Sequence, residues 1–315
     1  MYRPLTAAIS VLAGALALSP AASAADVTVV ADTSAQGLTA LGGTMVWVTG
    51  SFGSQSLMRL TSAGPAPVVG APKARAYRSV DLGRDVHGRL VLTYLRCTSG
   101  SSCVAYRDDL QGHRTRIMRR PPAGCSLTTA PAQWRERIVF GLRCRGSHPA
   151  ARTGLFVRRG LDRLWRLPLP KEAVRFNSDT ISEVDLRGTR VGAVAADIYE
   201  YVFTETTGGS GQRSFLAAAS EGDSDEHVKG VTVGPGGAVW SLVDAEHVGD
   251  PNVALLRRLT TCLRTERLTN PPGPDEESGY LATDLAVDGS QLYLVAPQAG
   301  VVSHAFAPEP GCAGV

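Results

Sequence analysis

The chain has 315 residues, of which 43% are apolar and 19% are charged, with 34 glycines, 19 prolines and a formal net charge of +3. These proportions allow a substantial core broken by many turns, and they exclude a coiled coil, a disordered chain and a disulfide-stapled miniprotein. A mean hydropathy of −0.01, with no long apolar run beyond the N-terminus, argues against an integral membrane protein. The composition favours a single all-β domain.

Residues 1–24 have the three-part layout of a secretory signal peptide. Arg3 comes first, an apolar stretch runs from Leu5 to Leu18, and the small residues Ala22, Ser23 and Ala24 follow. A membrane anchor is the alternative, but the apolar stretch is short for one. We therefore expect cleavage after Ala24, a mature domain over residues 25–315, and a secreted, periplasmic or extracellular location.

Six cysteines in an exported chain predict three disulfide bonds. Metal binding is the alternative, but the chain has no C-x-x-C spacing and no histidine close to these thiols. One pair of cysteines is symmetrical about Gly100 and a second about Trp134, as facing residues of hairpins are. The remaining two then pair over a long loop. The predicted bonds are Cys97–Cys103, Cys125–Cys144 and Cys262–Cys312.

A turn followed by an apolar strand recurs six times along the chain, first at Gly43 and last at Gly289. The apolar residues three places after these turns are spaced by 45, 48, 52, 49 and 52 residues. A period of this size with several short strands per repeat is typical of a β-propeller. The reference positions are Val46, Val91, Val139, Val191, Trp240 and Leu292.

The repeats predict six blades, each with four antiparallel strands. The second blade divides into 78–83, 89–96, 103–108 and 114–119, with turns rich in Gly, Asp and Ser between them. The last blade offers only three strands, at 280–287, 291–296 and 301–306. The first mature segment, Val27 to Ala31, has no partner of its own, and we expect it to close the last blade beside Val301 to Phe306.

The pattern resembles six-bladed β-propellers of the loose TolB-like, NHL-like and WD40-like kinds, over nearly the whole mature chain. The hairpin YLRCTSGSSCVAYR in the second blade is similar to disulfide-bearing hairpins of exported bacterial propellers. The Trp-Asp dipeptides of WD40 blades are absent. The resemblance implies a ring with an axial channel and a loop-rich face, a geometry that serves binding proteins and enzymes alike.

Three acidic residues fall at comparable places near the start of the first strands of alternate blades. These are Asp81, Glu183 and Asp284, and Asp185 replaces Glu183 if the strand slips its register. Because first strands line the channel, we expect the three carboxylates to converge, where they suit a divalent cation or an amine. The structural alternative is that each carboxylate accepts hydrogen bonds from backbone N–H groups and ties neighbouring blades together. No other cofactor is expected.

The charges are divided unevenly along the chain. Residues 70–170 hold 20 basic against 6 acidic residues, whereas residues 171–315 hold 10 against 21. The acidic half includes two dense loops, at 221–226 and 275–277. The basic half fits an acidic protein or an anionic envelope polymer, and a plain solvated surface is the alternative. The basic segments lack interleaved aromatic residues, so we do not expect nucleic-acid binding.

The motifs of common enzyme classes are absent: there is no G-x-S-x-G, no H-E-x-x-H and no phosphate-binding glycine loop. We therefore expect a non-enzymatic, monomeric binding module that recognises a protein or an envelope polymer through its loop-rich face. The alternative is a propeller lyase or hydrolase with its site at the channel mouth. That site would use residues such as Asp81, Glu183, Asp284 and His227.

Overall fold

The computed structural model describes residues 26–99, 102–117, 121–145, 153–160, 164–176, 180–221, 224–247, 253–268 and 282–313. Within these ranges the chain is almost entirely strands joined by turns. No helix in the described part of the chain is long and apolar enough to cross a membrane. The predicted signal peptide lies outside the described residues, as does the whole acidic loop at 275–277.

The first sheet has four antiparallel strands in chain order. They follow a short N-terminal strand, β1 (Val27–Val30), that belongs to another sheet. The four strands are β2 (Gln36–Leu41), β3 (Thr44–Thr49), β4 (Ser56–Thr61) and β5 (Gly64–Pro67). Trp47, at the centre of β3, is fully buried, as its place in the repeat predicts.

The second group of strands forms one nine-stranded sheet. It contains β6 (Ala76–Arg84), β7 (Leu90–Cys97), β8 (Cys103–Asp108), β9 (Arg114–Arg116), β10 (Cys125–Leu127), β11 (Ala132–Trp134), β12 (Arg137–Cys144), β13 (Gly154–Arg159) and β14 (Trp165–Arg166). The run β6 to β9 joins the run β11 to β14 through a single parallel pairing of Trp134 with Arg84. Gly83 permits this close approach, because a Cβ there would lie 1.8 Å from the carbonyl oxygen of Gln133.

The third group of strands follows the one short helix of the described residues, α1 (Lys171–Arg175), and forms an eight-stranded sheet. It contains β15 (Thr180–Arg187), β16 (Arg190–Ala196), β17 (Tyr199–Thr206), β18 (Arg213–Glu221), β19 (Ser224–Val233), β20 (Val239–His247), β21 (Val253–Leu259) and β22 (Leu263–Leu268). A 3-10 turn at Pro235–Gly237 joins β19 to β20. The two runs of four strands meet through only two residue pairs between β18 and β19.

The last sheet confirms the predicted closure. Its strands are β23 (Asp284–Asp288), β24 (Gln291–Ala296) and β25 (Gly300–His304), and β1 pairs antiparallel with β25 as the fourth. Gly300, with φ of +84°, allows the approach, because a Cβ there would lie 2.1 Å from the carbonyl oxygen of Val30. The N-terminal strand therefore completes the sheet formed by the end of the chain.

His304 on β25 connects the N-terminal segment to the neighbouring sheet. Nδ1 of His304 lies 2.7 Å from Oδ1 of Asp26, and Nε2 lies 3.1 Å from Oε1 of Glu266 on β22. Burial lowers the pKa of His304, but the hydrogen bonds and charges of Glu266 and Asp26 outweigh it and hold the pKa above its ordinary value. The imidazole ring therefore bridges β25, the N-terminal segment and the neighbouring sheet.

The arrangement is all-β and propeller-like, built from four-stranded antiparallel runs. The strands do not divide into six separate blades, because backbone pairing fuses two neighbouring runs at Trp134 and two more at Ser220 and Glu221. The first strands nevertheless contact one another in a closed cycle: β2, β6, β11, β15, β19, β23 and again β2. Apolar side chains fill the space between successive runs, including Tyr94, Phe140 and Phe203.

All three predicted disulfide bonds are confirmed. Cys97–Cys103, Cys125–Cys144 and Cys262–Cys312 are each bonded. The first two join directly opposed residues of antiparallel strands. The third holds the C-terminal segment against the outer strand of its sheet, where Ala313 forms an antiparallel bridge with Leu263.

Candidate functional site

The first strands surround a small polar cavity of about 70 Å³. Each of the predicted acidic residues, Asp81, Glu183 and Asp284, lines it, and so does Asp185. The space exceeds the roughly 10–15 Å³ that a single water needs. The structure therefore brings the predicted carboxylates to one place.

β-Bulges shape the cavity wall. The pairing register shifts between Gln36 and Thr39 in β2, between Arg78 and Asp81 in β6, and between Ile181 and Glu183 in β15. A bulge bends its strand and turns nearby side chains to new directions. The residues at these shifts, among them Leu38, Ser79 and Glu183, line the cavity.

Two aspartates around the cavity tie a first strand to the next one. Asp284 accepts hydrogen bonds from the N–H of Leu285 at 2.7 Å and from the N–H of Leu38, on β2, at 2.6 Å.

Asp185 repeats this arrangement on the other side of the cavity. It accepts from the N–H of Leu186 at 2.5 Å and from the N–H of Val233, on β19, at 2.5 Å. The structural role considered from the sequence therefore holds for both aspartates.

Asp81 and Asp185 form a carboxyl pair. Burial, followed by the neighbouring Asp185, raises the pKa of Asp81 well above its usual range. Burial also raises the pKa of Asp185, against the hydrogen bonds from Val233 and Thr232 that lower it. Oδ2 of Asp81 is buried and receives no hydrogen bond from the described residues. A proton on Asp81 allows it to donate to Asp185, which is how two buried carboxyl groups coexist.

Glu183 differs from these aspartates. No hydrogen bond reaches its carboxyl group from the part of the chain that the structure describes. Burial, with the nearby charges of Asp284 and Glu200, raises the pKa of Glu183 to about 8. Burial also raises the pKa of Asp284 to about 7, although the N–H groups of Leu38 and Leu285 oppose the shift. Near pH 7, Glu183 is therefore mainly a neutral hydrogen-bond donor.

The binding of a divalent cation by Asp81, Glu183 and Asp284 stays a prediction. The described residues contain no group of three or more Asp, Glu, His or Cys side chains arranged to hold a metal ion. His227 does not line the cavity; its Nδ1 lies 3.2 Å from Oε1 of Glu200. The constellation considered for a lyase or hydrolase is therefore not assembled around the cavity.

A larger cleft of about 840 Å³ opens beside the cavity, between β6, β10, β12 and β15. Ser79 and Glu183 line both spaces, so the cavity and the cleft adjoin each other. The volume falls within the roughly 300–1,000 Å³ usual for ligand sites. We refer to this space as the basic cleft.

Three arginines line the basic cleft: Arg78, Arg143 and Arg145. All three are exposed, and none forms an ion pair within the described residues. Arg143 and Arg145 flank the buried Cys144, and alternate strand residues point to the same side, so both face the cleft. Among the described residues of the lining, Glu183 alone is acidic. The cleft therefore carries a net positive charge at neutral pH.

Two disulfide bonds stiffen the cleft walls. Cys103 and Cys125 both line the cleft, and Leu127 packs against both bonds. The sequence argument did not single out the three arginines. The signals that indicate them are the excess of basic residues between positions 70 and 170 and the Arg-Cys-Arg pattern at 143–145.

Comparisons with known proteins show a likeness of fold alone. No family model and no curated protein matches the chain. A puromycin-hydrolysing peptidase of Mycobacterium tuberculosis is similar, with 10% identity and a TM-score of 0.46 over 83% of this chain and 48% of that one. The chain thus spans about half the length of that peptidase.

Two other solved structures are similar over most of their length. A putative TolB of Agrobacterium tumefaciens has 11% identity and a TM-score of 0.46, over 84% of this chain and 87% of that one. YCF48 of Cyanidioschyzon merolae has 8% identity and a TM-score of 0.49, over 89% of this chain and 98% of that one. All three TM-scores lie below 0.5, and no conclusion about this chain is taken from them.

Proposed function

We propose that the chain is an exported, six-bladed propeller that acts as a binding module and takes carboxylate-rich segments of a macromolecule into the basic cleft. The observation that carries the proposal is a cleft of about 840 Å³ lined by three exposed arginines, none of which forms an ion pair with a described residue. A guanidinium group offers a planar fork of donors that matches a carboxylate.

The electrostatics of the cleft favour an anionic ligand. Arg78, Arg143 and Arg145 converge from two strands, and the raised pKa of Glu183, caused mainly by burial, keeps this group largely uncharged at pH 7. Neutral Glu183 also donates a hydrogen bond toward the ligand rather than repelling it. Because two disulfide bonds hold the walls, the ligand meets groups that are already in place, which lowers the cost of binding.

The closed cycle of first strands supports the count of six blades. The six reference positions of the repeat fall on second strands, from Val46 on β3 to Leu292 on β24. Three disulfide bonds support an oxidising compartment outside the cytoplasm, in keeping with the predicted signal peptide over 1–24.

The test is binding of fluorescent poly-L-glutamate and polygalacturonate to the mature chain in low salt. We expect R143E/R145E to weaken binding by about tenfold or more, and we expect added salt to weaken binding to the wild type. The matched control is R264E/R267E, which changes the net charge equally on β22, at exposed positions away from the cleft. Equal loss in both double variants, or no binding of either polymer, contradicts the proposal.

A further inference from the structure

Three segments that are far apart in the sequence meet at one histidine. The side chain of His304 on β25 is only 10% exposed, and the carboxylates that face it, from Asp26 and Glu266, are 24% and 11% exposed. Asp26 directly precedes β1, and Glu266 lies on β22. Salt screens charges in such a place much less than it screens charges on an open surface. We call these three side chains the His304 bridge.

The geometry of the His304 bridge sets the protonation that it needs. A carboxylate oxygen lies 2.7 Å from Nδ1 of His304 and another lies 3.1 Å from Nε2. A carboxylate accepts hydrogen bonds and donates none, and a neutral imidazole carries a proton on only one of its two nitrogens. Both contacts are therefore hydrogen bonds only when the imidazole is doubly protonated. In the neutral form, the lone pair of one nitrogen faces a carboxylate.

The groups around the imidazole favour the charged form. Among the described residues, the charged groups that face it are Glu266, from β22, and Asp26, from the segment before β1, while β24 faces His304 with the apolar Leu292. Burial lowers the pKa of His304, but these two carboxylates raise it by more. Oε2 of Glu266 also accepts a hydrogen bond from the N–H of Ala307 at 2.8 Å, so Glu266 keeps its position beside the imidazole.

We propose that the His304 bridge makes the closure of the last sheet by β1 sensitive to pH. While both ring nitrogens are protonated, His304 holds Asp26 and Glu266 to β25. When the imidazole loses a proton, one of the two contacts becomes repulsive, and the N-terminal strand opens more often while the other sheets stay folded. The basic cleft plays no part in this inference.

Hydrogen exchange of the mature chain, followed by mass spectrometry at pH 6 and pH 9, tests the proposal. Each exchange rate is divided by the rate for an unstructured chain at the same pH. The bridge stabilises β1 fully below the ordinary histidine pKa of 6.5, and this contribution is lost as the pH rises through the higher pKa of folded His304. We expect the protection of β1 to fall by about tenfold in the wild type. In His304→Gln, the protection should be low at both pH values, because glutamine takes up no proton.

The control variant is His87→Gln, which replaces an exposed histidine in the turn between β6 and β7 and should keep the wild-type fall. Because Glu183 and Asp284 also have raised pKa values, the difference between the wild type and a variant measures the bridge.

A second variant, Asp26→Asn, decides the question even if His304→Gln does not fold. The asparagine amide both donates and accepts, so it suits either form of the imidazole and should reduce the fall in protection. An equal fall in the wild type and in Asp26→Asn, or no fall in the wild type, overturns the inference. Neither result bears on ligand binding in the cleft.

Discussion

The carboxyl group of Glu183 is set apart from its neighbours by its hydrogen bonding. Asp185 and Asp284 each accept two backbone N–H groups, which compensates in part for their burial. Glu183 receives none from the described residues, and burial raises its pKa to about 8. Ionising it therefore places an uncompensated charge in the cavity wall.

This gives a pH dependence of stability. Since the folded pKa of Glu183 is about 8 against an ordinary 4.5, the folded state keeps a proton that the unfolded chain loses. Wild-type stability therefore falls as the pH rises from about 4.5 to about 8. We expect Glu183→Gln to change the melting temperature little at pH 5 and to raise it by about 2 °C or more at pH 9. Thermal melts at both pH values measure the difference.

The control for this measurement is Glu172→Gln, an exposed glutamate on α1. Its effect should be the same at both pH values. A stabilisation by Glu183→Gln that is equal at pH 5 and pH 9 shows that Glu183 ionises freely and that the cavity is well solvated.

The sequence predicted the membership of the site better than the role of each residue. Their matching positions in the repeat predicted that Asp81, Glu183 and Asp284 lie close together, and all three line one cavity. The repeat did not reveal which carboxylates hold neighbouring strands together, because bulges in β6 and β15 shift the register by amounts that residue counting cannot detect. The cleft arginines were missed because Arg78 on β6 and Arg143 and Arg145 at the end of β12 come together only through the packing of two separate runs of strands.

Among the elements, β1 depends most on a single residue. Gly300 has a positive φ and leaves no room for a Cβ beside Val30, whereas Gly289, in the same sheet, has a positive φ and open space around it. A comparison of alanine substitutions at the two glycines therefore separates the cost of the left-handed backbone conformation from the cost of the steric contact.

We expect Gly289→Ala to lower the free energy of unfolding by about 1–2 kcal/mol, the usual cost of a left-handed conformation for alanine. Gly300→Ala should cost clearly more, because β1 must also move away from β25. Urea unfolding of both variants measures the two costs. Equal losses would mean that the contact between Gly300 and Val30 relaxes without penalty, and that β1 is not held by this approach.

The N-terminal strand and the C-terminal segment are held at different places, the first by strand pairing and the second by a disulfide bond. β1 completes the last sheet, while the Cys262–Cys312 bond fastens the C-terminal segment to β22 over a sequence separation of 50 residues. Loop-closure entropy makes such a bond worth about 4 kcal/mol, against about 2 kcal/mol for a loop as short as that of Cys97–Cys103.

We therefore expect C262S/C312S to lower the free energy of unfolding more than C97S/C103S does. Urea unfolding of the two double variants under identical conditions gives the ranking. The reverse ranking would show that strand pairing, rather than chain entropy, sets the value of these bonds in this fold.

At this scale the sequence predicted the repeat, the disulfide bonds and the N-terminal closure, because each depends on apolar spacing or symmetry along the chain. It did not predict the fusion of neighbouring runs at Trp134 and at Ser220. Those pairings use backbone N–H and C=O groups, which every residue type except proline provides, so no composition signal marks them.

The pairing of β1 with β25 also imposes an order on biosynthesis. Val27 emerges from the ribosome long before its partner Ser303. At about 5–20 residues per second, the N-terminal strand waits roughly 15–55 s for its partner. During that interval the backbone N–H and C=O groups of β1 have no partner in their own sheet and are open to pairing with other strands.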